Sequence, residues 1–171
     1  MTSAKKTRSP ERFRLDGLTA LVTGAGRGLG EACAIALSEA GADLIIMSRT
    51  ESDLLTLKGR IESFGGKVKV SVCDASDPDQ ISKIIPKLGR IDVLINNAGI
   101  ADMRGLAPEH FDSETFNRIV SVDLVGAFYY ARECGRNMLE NGSGSIVNIG
   151  SILGSGGSEN GVIAYSAAKG G

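Results

Sequence analysis

The stretch Leu18-Thr19-Ala20-Leu21-Val22-Thr23-Gly24-Ala25-Gly26-Arg27-Gly28-Leu29-Gly30 decides the fold. Leu18 to Thr23 is a short apolar run that reads as a strand without a wet face. It breaks into a glycine-rich turn, and helical spacing begins at once. Leu29, Cys33, Ala36, Leu37 and Ala40 are expected on the buried helix face, with Gly41 as the stop. Glycines in such a turn let backbone approach a ligand closely. The helix that follows offers free N–H groups and the positive end of its dipole to a phosphate.

The alternation continues along the chain. Leu44 to Ser48 reads as a second strand, Glu51 to Phe64 as a helix stopped by Gly65-Gly66, and Val68 to Cys73 as a third strand. Asp77 to Leu88 reads as a helix with an aspartate cap and a first-turn proline. Ile91 to Asn96 gives a fourth strand, Ser113 to Glu140 one long helix closed by Asn141-Gly142, and Ser145 to Ile149 a fifth strand. A Gly/Ser-rich loop, Gly150 to Gly161, leads into a helix that starts near Val162. Strands that alternate with helices and lack a polar face make a parallel sheet covered on both sides, a doubly wound α/β domain over residues 15–171. Residues 1–14, basic through Lys5, Lys6, Arg8, Arg12 and Arg14, read as a disordered tail rather than a transit peptide.

Composition removes several function classes. The 171 residues carry 19 Lys plus Arg against 20 Asp plus Glu, a formal net charge of -1, which gives no electrostatic grip on nucleic acid. Glycine is about twice its usual ~7% share, yet it comes without a period or excess proline, so collagen and low complexity are excluded. With no Trp and few aromatics, stacking platforms are not expected. Cys33, Cys73 and Cys134 are odd in number and widely spaced. They read as free buried thiols of a reducing, cytoplasmic compartment, not as a disulfide scaffold or zinc site. His110, the sole histidine, lies in the polar run Pro108-Glu109-His110 and reads as a surface residue. No apolar run approaches the ~18 residues of a membrane span.

The turn does not fit G-x-G-x-x-G, because Leu29 or Glu31 would take the place of the last glycine. It fits T-G-x-x-x-G-x-G through Thr23, Gly24, Gly28 and Gly30, with Gly26, Arg27 and Leu29 in between. A ribose with a free 2′-OH calls for Asp or Glu at the end of the second strand. Asp43 lies before that strand, which ends in Ser48-Arg49. Arg49 and Arg27 suit a 2′-phosphate by charge and bidentate hydrogen bonding, which favours NADP(H) over NAD(H). Asn96-Asn97-Ala98-Gly99 closes the fourth strand at the carboxyl edge, where ligands bind in such sheets. Tyr165-Ser166-Ala167-Ala168-Lys169 puts a phenol and an ammonium on one helix face. A neighbouring ammonium favours the phenolate, which makes the tyrosine a usable proton donor and acceptor near neutral pH.

Together, the turn Thr23 to Gly30, Asp74 after the third strand, Asn96 to Gly99, Ser151 after the fifth strand, and Tyr165 with Lys169 resemble the short-chain dehydrogenase/reductase family in order and spacing, from Phe13 to the end. The resemblance implies a Rossmann-type fold and a hydride transfer between nicotinamide and a carbonyl or secondary-alcohol substrate. It is strongest to 3-oxoacyl-[acyl-carrier-protein] reductases and to sugar-acid or polyol dehydrogenases. It implies Tyr165 as the general acid/base, Lys169 as the residue that holds the nicotinamide ribose and favours the phenolate, and Ser151 as a hydrogen-bond partner of the substrate oxygen. Asp74 and Ala75 are implied beside the adenine, and Asn97, Ala98 and Gly99 in the cofactor cleft. Family members are often tetrameric through the long helix near Phe128-Tyr129-Tyr130, so a homo-oligomer is expected of a full-length chain.

Two departures stand out. Asp123, in Ser121-Val122-Asp123-Leu124, matches the family's active-site asparagine, and a carboxylate only accepts where an amide also donates. Family members are also longer. The resemblance therefore implies a sheet incomplete at the C-terminal end, without the last strands and the substrate lid, and with the fifth strand as an open edge. The final helix is shorter than the ~12–15 residues that hold without tertiary support. The expected function is an NADP(H)-dependent carbonyl reductase or alcohol dehydrogenase; the alternative is a truncated, non-catalytic dinucleotide-binding protein.

Overall fold

The computed structural model describes residues 11–102, 104–156 and 162–171. Residues 1–10 of the expected tail and 157–161 of the expected loop lie outside them. Glu11–Phe13 form a 3-10 turn, and the Arg14 side chain hydrogen-bonds Asp16 and the Glu39 carbonyl.

Five strands, β1 (Thr19–Thr23), β2 (Asp43–Ser48), β3 (Val68–Val72), β4 (Val93–Asn96) and β5 (Ser145–Asn148), pair in parallel in the order β3-β2-β1-β4-β5. Helices α1 (Gly28–Glu39), α2 (Glu51–Ser63), α3 (Pro78–Ile84), α4 (Ser113–Val120), α5 (Ala127–Glu140) and α6 (Ile163–Gly170) connect and cover them. Successive residues of the central strands face opposite sides. Leu21, Ile45, Met47 and Leu94 pack with Ile81 of α3 and with Tyr130, Cys134 and Met138 of α5. Ala20, Val22, Leu44, Ile46 and Ile95 pack with Ala34 of α1 and with Leu54, Leu57 and Ile61 of α2. This is the doubly wound, Rossmann-type α/β fold. The strand order reverses between β1 and β4, which opens a crevice at their carboxyl ends.

The structure corrects several local expectations. The buried face of α1 is Gly30, Ala34 and Ser38, whereas Leu29 is 67% exposed and Cys33 only partly buried. The helix starts so close to the turn that a Cβ on Gly30 would overlap the Gly24 carbonyl oxygen, and only small residues fit beneath it. The long helix runs from Ser113 to Glu140 as expected, but it widens into a π-helical turn, Ser121–Gly126, between α4 and α5. At its end Gly126 lies against Ala75, where a Cβ would overlap the Ala75 carbonyl. α3 ends at Ile84 and tightens into a 3-10 turn, Ile85–Lys87, because Pro86 has no N–H to continue the ladder. β4 begins at Val93, just after Asp92, whose carboxylate accepts from the Thr19 N–H (2.9 Å) and from Arg90 (2.7 Å).

Among the described residues β5 is one of the two edges of the sheet, opposite β3, and all four of its residues are exposed. Short as it is, α6 is held by packing: Ala164 and Ala168 bury against Ile119 of α4. His110 sits exposed in a 3-10 turn, Pro108–His110. No helix among the described residues is long and apolar enough to cross a membrane.

Candidate active site

The glycine-rich turn is stapled to the end of β4. Thr23 is fully buried; its hydroxyl accepts from the Asn97 and Ala98 N–H groups, both at 3.0 Å, and donates to the Ile95 carbonyl. Asn97 returns the bond, its side-chain amide donating to the carbonyls of Thr23 (2.9 Å) and Gly24 (3.2 Å). Thr23 and Asn97 thus fix two loops against each other. Gly24 allows this at a φ of +63°, with Ala98 and Asn97 so near that a Cβ would collide with both. Gly28 and Gly30 shape the start of α1 and do not line either of the two clefts beside it.

Two adjoining clefts open above the carboxyl ends of the strands. The first is lined by Gly24, Gly26, Arg27, Ser48, Arg49, Asp74, Ala75, Ala98 and Gly99, together with Asp53 and Tyr130. Arg27 and Arg49 are exposed at its rim. Arg27 stands before α1 without a side-chain cap, so no capping side chain occupies the N–H groups of the first turn. The Asp74 carboxylate accepts from the Ser76 N–H (2.9 Å) and hydroxyl (2.8 Å). Burial pushes its carboxyl up, but the Ser76 bonds and the charges of Arg49 and Arg118 outweigh it and hold it below the ordinary aspartate range.

The second cleft is lined by Leu29, Asn97, Gly99, Asp123, Ser151, Tyr165 and Lys169, and it shares Gly99 and Ile100 with the first. Lys169 is nearly buried. Its ammonium donates to the Ile149 carbonyl at 3.0 Å and lies 3.7 Å from Asp123 Oδ2 and 5.7 Å from the centre of the Tyr165 ring. Ser151 caps the turn after β5, its Oγ accepting from the Leu153 N–H at 3.2 Å. Asp123 reaches in from the π-helical turn. Its Oδ1 accepts from the Ile100 N–H at 2.7 Å, and its buried Oδ2 has no hydrogen-bond partner among the described residues.

Burial pushes the Asp123 carboxyl above the usual carboxylate range, against the pull of the Ile100 amide and Lys169. A group whose pKa is raised by folding keeps its proton longer in the folded state than in the unfolded one. Its contribution favours the fold at low pH and is lost as pH rises through the folded pKa. The melting temperature of Asp123→Asn is therefore expected to gain on wild type as pH rises from about 3 to 7. A wild type that gains on the variant over that range would show that the Lys169 charge outweighs burial.

Sequence reasoning passed over two residues that build this region, Asp53 and Gly126, and read Asn96 only as part of the strand end. Asp53, from the first turn of α2, lines the first cleft. Asn96 ties β4 to α5 and β5, its amide donating to the Ala127 carbonyl (2.7 Å) and to Asn148 Oδ1 (3.0 Å). Gly126 brings the π-helical turn down onto Ala75. Each depends on a contact with a distant element, so spacing along the chain carries no sign of it.

Comparison with known proteins agrees with the geometry. Residues 18–171 match the short chain dehydrogenase family. The chain belongs to that family. It is 38% identical to galactitol 2-dehydrogenase of Rhizobium johnstonii over 151 residues, covering 84% of this chain and 57% of the relative. It is 35% identical to a 3-oxoacyl-[acyl-carrier-protein] reductase of Thermotoga maritima over 163 residues, covering 93% of this chain and 65% of the relative. Among solved structures, gluconate 5-dehydrogenase of Burkholderia cenocepacia, in complex with NADP and tartrate, superposes with a TM-score of 0.86 at 36% identity. That match covers 93% of this chain and 63% of the other. The chain thus spans less than two thirds of the length of these relatives.

Proposed function

We propose that this protein is an NADP(H)-dependent oxidoreductase that interconverts a small secondary alcohol and its carbonyl compound through Tyr165, Lys169 and Ser151. The observation that carries the reading is the meeting of those three side chains in one cleft, continuous with a second cleft rimmed by Arg27 and Arg49. Relatives named as polyol and sugar-acid dehydrogenases support the substrate class.

The first cleft fits a dinucleotide on its own evidence. Glycine backbone at Gly24, Gly26 and Gly99 keeps it open, and a Cβ on Gly99 would stand 2.9 Å from Asp123 Oδ2. Arg27 and Arg49 offer charge to a 2′-phosphate, which favours NADP(H). The bound nicotinamide supplies or accepts the hydride. Tyr165 gives a proton to the carbonyl oxygen in reduction and takes it back in oxidation. Lys169, anchored on the Ile149 carbonyl, holds positive charge close to the phenol, and Ser151 orients the reacting oxygen by a hydrogen bond. Asp123 fixes the loop after β4 through the Ile100 N–H.

The reading extends to a homo-oligomer, supported by Phe128 and Leu139 exposed on α5, although Tyr130 beside them is buried in the core. It also places the protein in a reducing, cytoplasmic setting. Cys73 and Cys134 are free and buried, and burial pushes the Cys134 thiol up to about 12.

The test mixes the protein with NADP⁺ and a panel of polyols, sugar acids and secondary alcohols, and follows the absorbance of the reduced nicotinamide. Substrate-dependent reduction is expected. Binding without turnover on any substrate would favour the non-catalytic dinucleotide-binding reading, and absence of binding would sink both.

A further inference from the structure

Gly26 sits where three elements meet: the glycine-rich turn, the end of β2 and the first turn of α2. A Cβ built on it would stand 3.0 Å from Asp53 Cβ, 3.5 Å from Asp53 Oδ2 and 3.4 Å from Ser48 Oγ. A carboxylate oxygen and a hydroxyl therefore converge on one point in the first cleft, at the carboxyl end of β2, beside Arg27 and Arg49. Asp53 is half-buried, and its carboxylate takes no hydrogen bond or ion pair from the described residues. Ser48 is held in place, its Oγ accepting from the Thr50 N–H and donating to the Thr50 carbonyl, both at 3.3 Å.

We propose that Asp53 discriminates between the two nicotinamide dinucleotides: its carboxylate, delivered to the end of β2 from α2, accepts from a free ribose 2′-OH and opposes a 2′-phosphate. The inference rests on the cofactor reading above and sharpens it. A carboxylate only accepts hydrogen bonds, so it pairs with a hydroxyl and has nothing to offer a phosphate, which also only accepts at full charge. Arg27 and Arg49 pull the other way. The site holds both kinds of group, so NADP(H) is preferred only modestly and NAD(H) binds as well. The acidic residue that the end of β2 lacks in sequence is supplied in space by the next helix.

The experiment titrates NADPH and NADH separately into wild type, Asp53→Asn and Asp53→Glu at low ionic strength, reading affinity from nucleotide fluorescence, with a thermal melt of each variant. Wild type is expected to bind NADH within about tenfold of NADPH. Removing one like charge at roughly 4 Å in a solvated site is expected to tighten NADPH about fivefold in Asp53→Asn. NADH is expected to weaken by a few-fold through the lost hydrogen bond. Asp53→Glu, which keeps the charge, retains the wild-type preference. The proposal is overturned if Asp53→Asn moves both nucleotides together or leaves their ratio unchanged. If wild type binds neither nucleotide, the cofactor reading itself falls and takes this inference with it. A wild type that binds NADPH but not NADH overturns the inference alone.

Discussion

Turnover is expected to fall by about 10²–10⁴-fold in Tyr165→Phe, while NADPH affinity stays within about twofold of wild type. The substitution removes one oxygen and leaves the ring that packs with the α4–α6 cluster, so the fold has no reason to change. Lys169 keeps its anchor on the Ile149 carbonyl, so the shape of the cleft survives as well. What is lost is the proton donor and acceptor at the reacting oxygen. Steady-state rates on any substrate turned over by wild type, set beside a nucleotide titration, separate the two effects. A variant with wild-type turnover would remove Tyr165 from the chemistry, and one that no longer binds NADPH would mean that the phenol shapes the cofactor cleft.

Gly30→Ala is expected to lose dinucleotide binding by more than tenfold and to destabilise the protein by about 1–3 kcal/mol. The added methyl would overlap the Gly24 carbonyl oxygen and stand 2.6 Å from the Asn97 amide nitrogen. The first is rigid backbone, and the second is the group that staples the turn to β4. Neither yields without releasing the other loop. Gly28→Ala makes the informative contrast. Its Cβ meets nothing within 4 Å, so only the strain of a φ of +62° remains, roughly 1–2 kcal/mol. Thermal melts and NADPH titrations of both variants check the pair. Equal losses would mean that backbone strain, and not the collision beneath the turn, governs this site.

The chain of short apolar strands and glycine-punctuated helices was enough to read the doubly wound sheet and most element boundaries. The apolar strands β1, β2 and β4 need cover on both faces, and the structure supplies it with two separate cores. The reading of α1 was right for Ala40 and in part for Cys33 and Leu37, which pack against the core, but it failed at Leu29 for a specific reason. Hydrophobic spacing assumes that the largest apolar residues go inward, but a helix pressed onto a turn by backbone contact accepts only Gly30, Ala34 and Ser38 there. Leu29 is thereby left facing the candidate cleft. The π-helical widening between α4 and α5 was equally hidden, because no proline marks it. There Gly126 packs against Ala75, a residue far from it in the chain.

By itself the sequence determined the sheet class, the turn Thr23 to Gly30, and the placement of Tyr165 and Lys169 on one helix face, because periodicity and local spacing encode these within a single element or its immediate neighbours. The tertiary structure alone decided how those groups meet. It set Asp123 Oδ2 3.7 Å from the Lys169 ammonium, an arrangement in which burial and ion pairing compete. It turned Thr23 from a residue of a cleft into half of a clamp beneath one, and made Asn97, which still lines the second cleft, the other half. It also carried Asp53 from the following helix to the end of β2, beside two arginines. Charges and hydrogen-bond partners act through distances of a few ångströms between elements that lie tens of residues apart, and only folding sets those distances.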